Sequence, residues 1–117
     1  KIELCNTILS GFCSRGECEE ASKFFNQIFL EKKIISPDIQ SLNYLVNAFL
    51  KGQKYTSSIE WFEKIDSFGL KPNFYSYNVA IDAAHKLSKG SSMADDLYRK
   101  ALSEGIVDPY SAKKFNE

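Results

Sequence analysis

The chain is 117 residues long, with 44% apolar, 26% charged and 14% aromatic residues. That length holds one domain at most, or a piece of a longer array, and the composition excludes long disorder, collagen and low-complexity classes. Fifteen basic residues balance fifteen acidic ones, so the totals disfavour a free-standing basic nucleic-acid module.

The chain opens on Lys1-Ile2-Glu3, already in apolar pattern and without an initiator Met, which reads as an excerpt with no signal or transit peptide in view. Apolar residues then recur at i, i+3, i+4 and i+7, the mark of one buried helical face. The first such quartet, Cys5/Ile8/Leu9/Phe12, predicts a helix that ends near Gly16, where a turn needs permissive backbone. Ala21/Phe24/Phe25/Ile28 predicts a second helix, closed by Pro37. Asp38 is placed to cap a third helix, carried by Leu42/Leu45/Val46/Phe49 and ended at Gly52. Ser58/Trp61/Phe62/Ile65 forms a fourth, with Ser58 breaking the apolar rule and with Trp61 and Phe62 assigned to inter-helix packing. Gly69 reads as a C-terminal cap before Pro72, and Asn73 and Ser76 as N-caps of a fifth helix on Tyr77/Ala80/Ile81/Ala84. Beyond Gly90, Ala94/Leu97/Tyr98/Ala101 makes the sixth, followed by Gly105 and Pro109. Residues 110–117 read as the start of a further helix, and nothing reads as a strand.

The spacing is regular. Within each pair the second quartet begins 16, 16 and 17 residues after the first, and the first quartets lie 37 and 35 residues apart. Such a period marks repeated helix–turn–helix units, here 1–38, 39–73 and 74–109. One hairpin cannot bury its own apolar face, so the units must stack, and the expected fold is an all-α α-solenoid.

Chemistry-bearing constellations are sparse. Cys13 and Cys18 have no second pair or nearby His to complete a zinc site, and with Cys5 they read as small buried or half-buried hydrophobes in a reducing compartment. His85 stands alone, and no nucleophile–base pair or phosphate-cradling Gly-rich loop occurs, so no catalytic residue, metal or cofactor is expected. The pairs Glu19-Glu20 and Asp95-Asp96 fall at the starts of second helices, where the helix dipole favours acids. The longest apolar runs, such as Ile28-Phe29-Leu30 and Val79-Ala80-Ile81, are far too short to cross a bilayer, and no membrane partner is expected.

The tetratricopeptide signature of Trp, Gly and Tyr is missing from all three first helices. What recurs is an apolar or aromatic residue followed by Asn, in Cys5-Asn6, Leu42-Asn43 and Tyr77-Asn78, matched at the unit ends by Ser36-Pro37-Asp38 and Gly69-Leu70-Lys71-Pro72-Asn73. This pattern closely resembles the pentatricopeptide repeat, over essentially the whole chain. The middle unit is 35 residues with no gap, the first carries two extra residues, and the third carries one near Ser88 to Ser92.

The resemblance implies a right-handed superhelix that binds single-stranded RNA, about one base per repeat, in a mitochondrion or plastid, with roles in RNA processing, stability or translation. It implies that the early Asn of each first helix and the last residue of the repeat form a base-reading pair. Asn6 with Asp38 resembles the pair that favours uracil, and Asn43 with Asn73 a pyrimidine-reading pair. Asn78 would pair with Asp108, but Asp108 is out of step by one and Pro109 holds the expected place. The position three before each Asn, which in the family wedges between bases, holds Glu3, Gln40 and Tyr75 rather than a small aliphatic residue. Of these, Gln40 and Tyr75 are the candidate wedges, and Tyr75 can stack on a base. Lys51 and Lys86 occupy the family's basic position for phosphate contact, where the first unit has Ser14 beside Arg15.

An Asn amide is a reasonable reader of a pyrimidine edge, since it offers both donor and acceptor. Each Asn follows the first residue of its quartet, about 100° off the buried stripe, which puts it on the groove side or outer side of the stack. Asn and Asp near helix starts also serve as caps, so that role stands beside the functional one. Neutral charge, Glu3 and Gln40 keep open a second role, as a protein-binding or architectural subunit of an organellar ribonucleoprotein such as a mitochondrial ribosome. Catalysis would reside in a domain outside these residues, as in relatives that carry a nuclease domain after the repeats.

Overall fold

A computed structural model describes residues 1–33, 35–87 and 92–106. Six α-helices run in chain order: α1 (Ile2–Ser14), α2 (Cys18–Phe25), α3 (Ile39–Lys51), α4 (Tyr55–Glu63), α5 (Phe74–Leu87) and α6 (Met93–Ser103). No strand occurs among the described residues. Consecutive helices pair as hairpins α1/α2, α3/α4 and α5/α6, and the hairpins stack. The first helices form one row, with α3 packed between α1 and α5, while α2 leans on α3 and α4 on α5. The result is the helical solenoid expected from the period, elongated at 43 × 26 × 21 Å.

The quartets account for the core. Leu42, Leu45, Val46 and Phe49 of α3 are all buried, as are Tyr77, Ala80, Ile81 and Ala84 of α5. These two helices carry half of the described buried apolar residues because each has a neighbour behind it and its own hairpin partner beside it. The first quartet fits less well, since Leu9 is buried but Ile8 is exposed. In the described structure α1 packs on α2 and α3 alone, which covers only part of an apolar stripe. Ser58, the polar member of the fourth quartet, is fully buried and donates its hydroxyl to the Val46 carbonyl at 2.8 Å, so its polarity is satisfied across the hairpin.

An aromatic cluster ties the hairpins together. Phe25 meets Phe29 at 4.8 Å, Trp61 at 5.4 Å and Phe68 at 5.6 Å, the last two edge to face. Trp61 also stacks on Phe49, and Phe62 meets Tyr77 edge to face at 5.1 Å. Trp61 and Phe62 thus pack between helices, as expected. The Tyr77 hydroxyl donates to Glu104 at 3.0 Å; burial first, then this carboxylate, push the phenol well above its ordinary value.

The turns differ in one respect from the sequence reading. Gly16 has the expected positive φ of 68°, but Gly52 has φ −78°, and the left-handed residue in the second turn is Gln53, at 64°. Gly52 is required for space: a Cβ there would lie 2.9 Å from Cys18 Sγ and 3.0 Å from the Gly16 carbonyl oxygen. Two successive turns therefore pack directly against each other. Gly90 lies outside the described residues, as do Asp108, Pro109 and residues 110–117. Gly69 has φ 75° and ends a 3-10 turn, Ile65–Phe68, that closes α4.

In the first unit, which is two residues longer than the second, the end of α2 widens into a π-helical turn over Asn26–Glu31. A π turn accommodates an inserted residue without breaking the helix. Cys13 and Cys18 are buried, Cys5 is half-buried, and all three are free thiols; burial pushes the Cys13 thiol up. Glu19-Glu20 and Asp95-Asp96 lie in the first turns of α2 and α6. His85 is exposed near the end of α5.

Candidate nucleic-acid interface

The helix starts build the site. Asp38 caps α3: its carboxylate accepts the Ser41 N–H at 3.0 Å, and its own N–H donates to the Ser41 hydroxyl at 3.1 Å. Asn73 and Ser76 repeat this reciprocal box before α5, with both bonds at 3.0 Å. Ser76 is therefore the third residue of α5 and partner to the cap; the cap is Asn73.

Each cap also reaches back into the preceding hairpin. Asn6 Nδ2 donates to Asp38 Oδ1 at 3.0 Å and Oδ2 at 3.3 Å, while Asn6 Oδ1 accepts from the Ser41 hydroxyl at 2.7 Å. One unit on, Asn43 Nδ2 donates to Asn73 Oδ1 at 3.1 Å, and Asn43 Oδ1 accepts from the Ser76 hydroxyl. The same three-residue arrangement thus spans both described boundaries. It also covers the two asparagines, which are only 7% and 6% exposed, whereas Asn78 on α5 is exposed. Asn6 and Asn43 are more covered than a position off the buried stripe suggests, because the next helix start folds over them.

Asp38 remains charged in this setting. Burial acts to raise its pKa, but the Ser41 N–H, the Asn6 amide, the Ser41 hydroxyl and the Gln40 N–H outweigh burial and hold the carboxyl below its ordinary range.

Two clefts open over these pairs. One, of about 540 Å³, is lined by Asn6 and Asp38 together with Glu3, Gln40 and Tyr44. The other, of about 280 Å³, is lined by Gln40, Asn43, Tyr44, Asn73 and Tyr75. Gln40 and Tyr44 border both, so they form the partition between adjacent clefts. Tyr75 closes the far side of the second, its exposed ring held by a bond from Asn47 Nδ2 to the phenol oxygen at 2.9 Å. The pairs and wedge positions expected from the sequence are therefore brought together. Lys51 and Lys86 are not: both are exposed, neither lines a cleft, and Lys86 pairs with Asp82 at 2.9 Å. Ser41, Tyr44 and Asn47 were missed. The spacing of Ser three residues after Asp38 and after Asn73 was the available signal for the serines.

Family models describe two stretches of this chain: a PPR repeat matches residues 3–30, and a pentatricopeptide repeat domain matches residues 30–86. The chain belongs to the pentatricopeptide repeat family. It is similar to three Arabidopsis thaliana proteins of that family. Pentatricopeptide repeat-containing protein At3g61360 is 26% identical over 69% of this chain, and At2g18940, chloroplastic, is 27% identical over 83%. At5g25630 is 28% identical over 62%. The chain spans 16%, 11% and 13% of the lengths of these pentatricopeptide relatives, a small part of each.

Proposed function

We propose that the chain is an RNA-binding segment of an organellar pentatricopeptide array, without catalysis of its own, whose units 1–38, 39–73 and 74–109 each address one base of single-stranded RNA. The observation that carries this reading is the recurrence, at two consecutive boundaries, of a fixed amide pair at the base of a cleft bordered by wedge residues. The first cleft sets the Asn6 amide beside the Asp38 carboxylate, a donor next to an acceptor. That matches uracil, whose edge carries a carbonyl next to an N–H. In the second, Asn73 Oδ1 is taken up by Asn43 and Ser76, which leaves its Nδ2 as the unengaged end. Two donors side by side match cytosine, whose O2 and N3 both accept. The chloroplast label of one relative and the family's usual home support a plastid or mitochondrial setting.

Stacking and edge contacts contribute about 1–3 kcal/mol per base, so three units hold RNA weakly before ordering costs, and flanking units supply the rest. The test is binding of labelled pyrimidine-rich RNA octamers by fluorescence anisotropy, with oligo(A) as competitor. Asn43→Ala with Asn73→Ala is expected to weaken binding and erase the pyrimidine preference; unchanged affinity and preference would refute base reading. Zero net charge and the pairing of Lys86 with Asp82 favour the second role, a protein-binding subunit of a ribonucleoprotein, and a partner that survives ribonuclease treatment and high salt would support it.

A further inference from the structure

We infer that Ser41 and Ser76 are positioning residues for the preceding unit: each fixes which way the amide of Asn6 or Asn43 points, and so which group a base meets. This rests on the reading of Asn6 and Asn43 as base-contacting residues. Both serines are fully buried. The Ser41 hydroxyl lies 2.7 Å from Asn6 Oδ1 and 3.0 Å from Asp38 Oδ1, and it has one proton to give. Asp38 Oδ1 already accepts from the Ser41 N–H and from Asn6 Nδ2. The proton therefore goes to Asn6 Oδ1. The same count holds at Ser76, where Asn73 Oδ1 already accepts from the Ser76 N–H and from Asn43 Nδ2.

A helix cap alone requires the serine to bond its own cap residue. Here the hydroxyl proton instead crosses a unit boundary, 35 residues back from Ser41 and 33 back from Ser76. With Oδ1 held by the serine and one Nδ2 hydrogen held by the cap, a flipped amide would set oxygen against oxygen on the cap side and lose its hydroxyl donor. The amide is locked, and the Nδ2 hydrogen left over is the group offered to the cleft. The two boundaries differ in how much the serine matters. The Asp38 carboxylate accepts only, so it orients Asn6 even without Ser41. Asn73 carries an amide that can itself turn, so Asn43 depends on Ser76.

The test measures affinity of the chain for RNA octamers carrying UC, UU or UA, in either order, within oligo(A). Ser76→Ala is expected to shrink the discrimination among these steps by about 3- to 10-fold, the worth of one hydrogen bond, and Ser41→Ala by less. Ser76→Thr, which keeps the hydroxyl, should hold the original ratios. A role in capping alone would lower thermal stability and weaken all octamers equally, so unchanged ratios in folded Ser76→Ala overturn the inference. Asn43→Ala separates the two levels: if it too leaves binding unchanged, base reading itself has failed. Should Ser76→Ala not fold, side-chain amide exchange of Asn43 in the unaltered chain decides. Protection at least tenfold above that of exposed Asn78 is expected, and equal exchange would overturn the lock.

Discussion

Asp38→Asn converts the first cleft into a chemical copy of the second, and the second shows what should happen. Asn73 keeps Oδ1 towards the Ser76 N–H at 3.0 Å and the Asn43 amide at 3.1 Å. The substituted side chain at position 38 faces the same two donors, from Ser41 and Asn6, at 3.0 Å each. It must therefore turn its own Oδ1 to them and place Nδ2 where the second carboxylate oxygen was, giving up that oxygen's longer bond from Asn6 Nδ2 at 3.3 Å. On the proposed reading, the acceptor that Asp38 offers a base becomes a donor. For uracil one hydrogen bond from its N–H is lost; for cytosine a repulsion between lone pairs becomes a bond. Each change is worth on the order of 1 kcal/mol, so the uracil-to-cytosine affinity ratio should swing by about 10- to 100-fold towards cytosine. Stability should hardly move, since Asn and Asp cap helices about equally well. The assay is competition between UU- and UC-bearing octamers by fluorescence anisotropy, with a melt of the free protein beside it. A ratio that stays put while the melt is unchanged would refute the assignment of Asp38 as the acceptor that meets the base.

Three further outcomes follow from the same geometry. Gly52→Ala should destabilise by about 1–3 kcal/mol in thermal or urea melts, although its φ of −78° suits alanine, because the new methyl meets Cys18 Sγ and the Gly16 carbonyl; a stabilised variant would contradict the close packing of the turns. Tyr75→Ala should weaken RNA binding by about 5- to 150-fold, the range for one lost stacking partner, while Tyr75→Phe, which keeps the ring, should cost far less, as read by anisotropy. Because the pKa of Asp38 is depressed by folding, its contribution to stability is present above the ordinary Asp range and is lost as pH falls from about 4 through the lowered value; urea midpoints measured across that window should show the loss, and Asp38→Asn should flatten it.

Most of the fold was legible because burial writes a period into the sequence. Leu42, Leu45, Val46 and Phe49 are buried for the reason their spacing announced. Ile8 obeys the same spacing and is exposed, since a quartet states which face a helix can bury and leaves open whether a neighbour covers it. Gly52 was legible as a turn but not for its reason, which lies in the thiol of Cys18 on another hairpin. The pairing of Asn6 with Asp38 and of Asn43 with Asn73 was legible through register and family resemblance. Their burial was not, because it comes from the next helix start closing over them. The spacing of Ser41 after Asp38 signals a capping partner; its second bond, 2.7 Å to an amide in the preceding unit, was not legible. Tyr44 was likewise one aromatic among many until the clefts on either side of it were defined.

These placements tie recognition to assembly. Asp38 and Ser41 stand at the start of α3, and Asn6 on α1 of the preceding hairpin; neither hairpin alone contains the bonded set. The residues that cap α3 also bond it to Asn6 of α1, and those that cap α5 bond it to Asn43 of α3. The bonded set therefore exists only where two hairpins are stacked in register, and a slip of one residue at a boundary would remove a cap and an inter-hairpin bond together. The wide turn Asn26–Glu31, by contrast, lies inside the first hairpin, away from the helix starts. On the proposed reading, RNA binding and stacking would reinforce each other: a base held between Gln40 and Tyr75 would span the same boundary that the Asn43–Asn73–Ser76 bonds close, so the ligand would bind the stacked state and favour it by mass action.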